Sequence, residues 1–179
     1  MSKQATLSLI LPAFGAALIA ILSQITIPVG TVPFTLQTLA ISIIATLFKS
    51  REATLSVLLY LLLGGIGLPV FAGGSAGFSA FVGPTGGYFW GFVLFAFITS
   101  SLTSPKSSLL TIFLANTLGV AITLVCGVIG LHFLSNMDWQ AAFLAGALPF
   151  ILSGLAKVVV ATLLTKPIFQ SLKRYSYFK

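Results

Sequence analysis

The chain has 179 residues, 58% of them hydrophobic and 6% charged, with nine Lys and Arg against two acids and a formal net charge of +7. A soluble domain carries about 25% charged residues, so this composition and a mean hydropathy of +1.12 exclude a soluble globular protein and place the chain in a membrane. The positive balance calls for no nucleic-acid partner, because basic segments beside anionic lipid account for it.

A spanning helix needs roughly 20 apolar residues, and the charge-free runs divide into six. The first, near residues 6–27, contains "PAFGAALIAILSQ", in which Ala13/Ala17 and Ala16/Ala20 are small pairs four apart that let another helix approach closely. Its apolar stretch exceeds a signal-peptide core and further spans follow, so it reads as a retained span. The break "PVGTVPFT" at 28–35 leads into a second helix near 34–48, opened by Phe34, Thr35 and Gln37. Thr35 suits a cap there, and Gln37 faces either a site or water. A third helix near 52–66 runs into "LPVFAGGSAGFSAFVGPTGGYFWG", residues 68–91, which is uncharged and too rich in glycine for one helix. Irregular backbone persists at membrane depth only where protein shields it or a cavity adjoins it, so this stretch, with Gly73 and Gly74, reads as the cover of a site. A fourth helix follows near 86–103, a fifth near 108–134 and a sixth near 139–166. We read one domain over 1–179.

The basic residues test that count. With six helices, Lys3, Lys49, Arg51, Lys106, Lys166, Lys173, Arg174 and Lys179 all fall on one side and the opposite loops carry none. The positive-inside rule then makes both termini cytoplasmic. Tyr88, Trp90 and Trp139 fall near the outer interface, and Tyr175 and Tyr177 near the inner one.

The ninth basic residue, Lys157, lies within the sixth helix, nine positions before Lys166 and so roughly 13 Å from the inner end. A lysine at mid-span costs about 2.5–3.5 kcal/mol on insertion scales and faces a cavity as a rule. Glu52 belongs to the inner turn and Asp138 to an outer loop, so neither is placed to pair with it. A ligand that brings its own negative charge resolves the imbalance. Snorkelling to the inner headgroups is the competing reading, and the lean of helical side chains toward the N-terminus, here the outside, opposes it. Asn116, in "FLANTLG", either reads a polar ligand ring or bonds a neighbouring helix through Thr117 or a backbone carbonyl. His132 reads as interfacial and Cys126 stands alone, so we expect no metal and no disulfide. No nucleophile motif accompanies His132 and Asp138, and no G-x-x-x-x-G-K-[ST] occurs. We therefore expect no enzyme, no cofactor, and no ATPase in the chain itself.

Three segments, "ILSQITIPVGTVPFTLQTLAI", "LLYLLLGGIGLPVFAGGSAG" and "GPTGGYFWGF", resemble the BioY family, the biotin-specific S components of energy-coupling-factor (ECF) transporters. The likeness is dense over residues 13–92 and continues loosely to "LPF…LAK". It implies an all-α six-helix S-component bundle in a bacterial cell membrane, capturing biotin from outside under the helix 1–2 and 3–4 loops. It also implies a membrane coupling subunit and two ABC ATPases as partners, with Ala13, Ala16, Ala17 and Ala20 facing the coupling subunit. One departure stands out: where the family pattern reads P-F-x-P-G-D-x-x-K, this chain has "PFILSGLAK", with Leu152 for the proline and Gly154 for the acid. In this picture Lys157 takes the biotin carboxylate, Asn116 bonds the ureido ring and Phe71 and Tyr88 pack on the apolar body. A stand-alone facilitator and an S component for another carboxylate-bearing vitamin are the alternatives.

Overall fold

A computed structural model of the chain describes residues 3–28 and 30–178. Lys179, one of the basic positions used above, lies outside the described residues. The elements run α1 (Lys3–Ser23), β1 (Thr26–Ile27), β2 (Phe34–Thr35), α2 (Gln37–Leu47), α3 (Ser50–Gly65), a 3-10 turn (Ala72–Gly74), α4 (Ser79–Val82), α5 (Gly86–Leu102), α6 (Leu109–Ser135), α7 (Trp139–Gly146) and α8 (Leu148–Leu172). A second 3-10 turn, Ser176–Phe178, follows α8. The segments Thr6–Ser23, Leu109–Ser135 and Trp139–Leu172 are long and apolar enough to cross a membrane, and α2 and α5 are shorter apolar helices.

Large apolar side chains sit on the outside as well as within. Leu9, Ile10 and Phe14 on α1, Leu62 on α3, Leu114 on α6 and Leu152 on α8 are all exposed, Leu152 by 80%. Helices that are apolar all round suit a lipid solvent. Inside, one core draws on α1 through Ile19, α2 through Ile41 and Ile44, α3 through Tyr60, α5 through Phe95, α6 through Leu131 and α8 through Val158.

The helices approach closely because glycine lies at their crossings. A Cβ at Gly87 would stand 2.3 Å from the Cys126 carbonyl oxygen, and one at Gly130 would stand 2.6 Å from the Gly87 Cα. α5 and α6 therefore touch backbone to backbone, the contact small residues allow in membrane helices. Gly127 similarly makes room for the Tyr88 ring, and Gly15 for Ser56 of α3.

Three differences from the sequence reading have local causes. First, α1 stops at Ser23, because Thr26 and Ile27 pair antiparallel with Thr35 and Phe34 in a small hairpin. Phe34 and Thr35 thus belong to a strand, and α2 begins at Gln37. Thr35 still serves the helix start, accepting from the Gln37 backbone N–H at 3.3 Å. Second, the last helix is broken at Ala147 into α7 and α8. Pro149 has no N–H to continue a helix and its ring crowds the preceding turn, whereas at the second position of a new helix it costs nothing. Third, Tyr88 is buried, its hydroxyl donating to the Gly146 carbonyl at 2.6 Å.

The two ends of the bundle differ. At one end Tyr177 folds back, donating to Glu52 Oε2 at 3.0 Å and accepting from the Lys49 backbone N–H at 2.9 Å. Burial raises the Tyr177 phenol above its ordinary pKa, which keeps it a neutral donor. At the other end the hairpin and the glycine-rich stretch interlock. Ser23 donates to the Val70 carbonyl at 2.5 Å, and the Gly73 N–H donates to Thr26 Oγ1 at 3.2 Å.

Candidate functional site

Beneath that interlock lies a cavity lined by six segments of the chain. Val32, Pro33 and Thr35 come from the hairpin, and Gln37 and Thr38 from α2. Phe71, Ala72, Ser75 and Thr85 come from the glycine-rich stretch. Tyr88, Phe89 and Phe92 of α5, Val120 and Thr123 of α6, and Phe150, Ser153, Gly154 and Lys157 of α8 complete it. A mostly apolar concavity with a few converging polar groups is the usual form of a small-molecule site.

The apolar part is a packed aromatic wall. The rings of Phe71 and Phe89 lie 4.6 Å apart and tilted, and Phe71 meets Tyr60 edge-on at 5.5 Å. Phe71 is placed so deeply because Gly64 of α3 leaves its ring the space: a Cβ there would come within 2.2 Å of it. Phe34 lies behind the lining, its ring 4.5 Å from that of Phe150.

The polar part centres on Lys157. Its ammonium donates to the Thr35 carbonyl at 2.7 Å and to Thr38 Oγ1 at 3.2 Å. An ammonium has three donors, so one remains. Among the described residues no carboxylate neutralises the charge: Glu52 is engaged by Tyr177, and the Asp138 side chain caps α7. A desolvated cation without a counter-ion is costly, and an anionic ligand group in the cavity would remove that cost. Gln37 is held in place by Thr35, which donates to its Oε1 at 2.9 Å, and by its own donation to the Tyr60 hydroxyl.

Of the residues singled out in the sequence, Lys157, Thr35, Gln37, Phe71 and Tyr88 meet at this cavity, with Phe34 just behind it. Asn116 does not. It is 0% exposed and donates to Thr46 Oγ1 and to the Ile112 carbonyl, both at 2.9 Å. It points into the α2–α6 seam, because its position on α6 faces Thr46, and the helix-bonding reading replaces ligand contact. Gly73 and Gly74 also stand apart from the lining. Both are exposed, with φ of +64° and +78°, and a Cβ at Gly74 would meet only Gln24 Oε1 at 3.7 Å. Their glycine is required by backbone conformation rather than by a tight wall, and it is Phe71, Ala72 and Ser75 on either side that reach the cavity.

The four alanines of α1 divide as well. Ala13 and Ala17 are exposed and Ala20 is half-buried, but Ala16 is only 1% exposed. The face carrying Gly15, Ala16 and Ile19 packs inside this chain, so Ala16 cannot meet another subunit. His132 is also accounted for within the chain, its ring stacked on Trp139 at 4.0 Å and its Nδ1 2.7 Å from the Met137 carbonyl oxygen. Thr38, Thr123 and Ser153 were missed, since single hydroxyls in apolar helices carry no pattern.

A helical membrane bundle with a cavity under interlocked end loops is the S-component class of fold. A solved structure described as the S-component for biotin from an ECF-type ABC transporter superposes with a TM-score of 0.88 at 29% identity, covering 100% of both chains. The chain belongs to the BioY family, whose model matches residues 1–174. Among its relatives, the biotin transporter BioY2 of Lactococcus lactis is 43% identical over 157 residues, covering 87% of this chain and 86% of that one. The biotin transporter BioY of Thermotoga maritima is 40% identical over 148 residues, covering 83% and 87%.

Proposed function

We propose that the protein is a biotin-capturing membrane subunit that takes the vitamin from outside the cell and passes it inward with an ECF module. The observation that carries this is Lys157: an intramembrane ammonium at an apolar cavity, held by a carbonyl and a hydroxyl and without a carboxylate partner among the described residues. Biotin matches that cavity chemically, with an apolar bicycle, a flexible apolar tail and a terminal carboxylate. The carboxylate binds the remaining N–H of Lys157, and the Phe71 and Tyr88 rings pack on the apolar body. The biotin descriptions carried by relatives and by the superposed structure point the same way.

In this reading the chain crosses a bacterial cell membrane six times with both termini in the cytoplasm. The hairpin and the glycine-rich stretch then form the outer roof, and the end closed by Glu52 and Tyr177 faces inward, as the basic residues demand. The partners are a membrane coupling subunit and two ABC ATPases. Ala13 and Ala17, exposed on one face of α1, offer the coupling subunit a close approach. Titration of the purified protein with labelled biotin tests the function. Saturable binding tighter than about micromolar is expected, and its absence would overturn the reading.

A further inference from the structure

A second concavity lies on the outside of the bundle, a groove of about 660 Å³ between α6 and the pair α7 and α8. On α6 its lining runs from Thr117 to Ile129 at three- and four-residue spacing, one face of that helix. Opposite, Trp139 and every fourth residue as far as Leu155 form a stripe that continues through the break at Ala147. The floor is buried, with Val120 7% and Ala147 5% exposed, while Trp139, Phe143 and Val125 stand out as rims. The lining is apolar apart from the Trp139 indole N–H and the Thr117 hydroxyl, which donates to the Phe113 carbonyl at 2.9 Å.

Length and position select the occupant. Thr117 and Ile129 are twelve residues apart, so the groove is about 18 Å long. One leaflet supplies about 15 Å of hydrocarbon, whereas a spanning partner helix would need about 30 Å of groove. The groove begins at the roof end of the bundle. A Cβ on Gly86, which ends the glycine-rich stretch, would stand 2.9 Å from Leu134 Cδ1, and Trp139 stacks on His132 close by. Tryptophan collects at headgroup level, where its N–H meets glycerol ester carbonyls. The α1 face offered to the coupling subunit lies elsewhere, on a helix that packs chiefly against α2 and α3.

We infer that the groove holds one acyl chain of a phospholipid from the leaflet beside the roof, and that this chain backs the wall of the ligand cavity. Val120 and Leu124 line the groove on one side and the cavity on the other. The wall there is one side chain thick. Val120 is braced by the α8 backbone, since a Cβ on Gly154 would come within 2.9 Å of its Cγ1. Leu124 is braced by whatever fills the groove, and an unfilled groove forfeits the dispersion contacts on that face. The acyl-chain site stands on the membrane setting alone; its effect on the ligand rests on the biotin reading above.

The test uses phosphatidylglycerol brominated at mid-chain, which quenches tryptophan on contact. Trp90→Phe leaves Trp139 as the sole tryptophan, and Trp139→Phe leaves Trp90, which is also exposed but lies on α5 outside the groove. Each full-length variant is reconstituted in the brominated lipid and then extracted into lipid-free detergent. Trp90 should recover its fluorescence and Trp139 should stay quenched, with one phospholipid retained per chain by native mass spectrometry. Ala121→Phe, at an exposed position in the groove, should fill it and abolish both the retained lipid and the quenching of Trp139. Exhaustive delipidation should weaken biotin binding by wild type on the order of fivefold, reversibly on adding the phospholipid back, and should leave Ala121→Phe unaffected. Equal recovery of Trp90 and Trp139 with no retained phospholipid overturns the inference. So does a dimer, or a bound coupling subunit, that Ala121→Phe dissociates, since the groove then belongs to protein. Biotin affinity indifferent to delipidation overturns the backing of the cavity wall. Wild type that binds no biotin in any lipid overturns the biotin reading, and the quenching result still decides the groove.

Discussion

Around the cavity, polar side chains keep hydrogen-bonding capacity in reserve, whereas along the α2–α6 seam they spend it on one another. Ser42 donates to the Thr38 carbonyl, Thr46 to the Ser42 carbonyl, and Asn116 to Thr46, with Thr99 closing on the Ala115 carbonyl. Asn116 Oδ1 is buried without a partner among the described residues, but it opens on no cavity. Lys157 is likewise surrounded by apolar helix, yet it lines the cavity with one N–H left over. Polarity inside a membrane bundle therefore does not mark a site; unspent capacity at a cavity does.

Substitutions on each side of this contrast should separate binding from stability. Lys157→Ala removes a charge-assisted contact and should weaken biotin on the order of a hundredfold while leaving the unfolding temperature in detergent unchanged or higher; unaltered affinity would end the contrast on the cavity side. Gly127→Ala acts on both sides, since its Cβ would stand 2.2 Å from the Tyr88 ring. Displacing that ring should cost about 1–3 kcal/mol of stability and about tenfold in affinity. Asn116→Ala belongs to the seam alone. Thermal unfolding should report a loss of about 1–3 kcal/mol, with biotin affinity changed by less than about threefold. Strong loss of binding at normal stability would return Asn116 to the site. The smallest effect is expected at Gly73→Ala, where nothing lies within 4 Å and the cost is left-handed backbone strain, about 1–2 kcal/mol with little change in affinity by titration.

The helices were legible because lipid imposes them: long charge-free runs admit little else, and α3, α5 and α6 fall within a few residues of where those runs place them. Lys157 was legible for the same reason, as a charge with no local excuse. The short hairpin at Thr26–Thr35 was hidden, since its pairing depends on a partner strand across a turn. The break before Pro149 was hidden inside an unbroken apolar run. Asn116 was ambiguous because an amide suits a ligand and a helix seam equally, and only the position of Thr46 decides between them. The alanines of α1 divided for a comparable reason: spacing identifies a face, but Gly15 against Ser56 determines which face turns inward.

The central claim is that the ligand supplies the negative charge missing around Lys157. Its most direct test is the affinity of wild type and Lys157→Ala for biotin and for biotin amide, measured as one thermodynamic cycle on the purified protein. The account predicts that wild type prefers the acid on the order of a hundredfold, and that Lys157→Ala binds acid and amide alike. Equal affinity of wild type for both ligands, or an acid preference that survives Lys157→Ala, would contradict it.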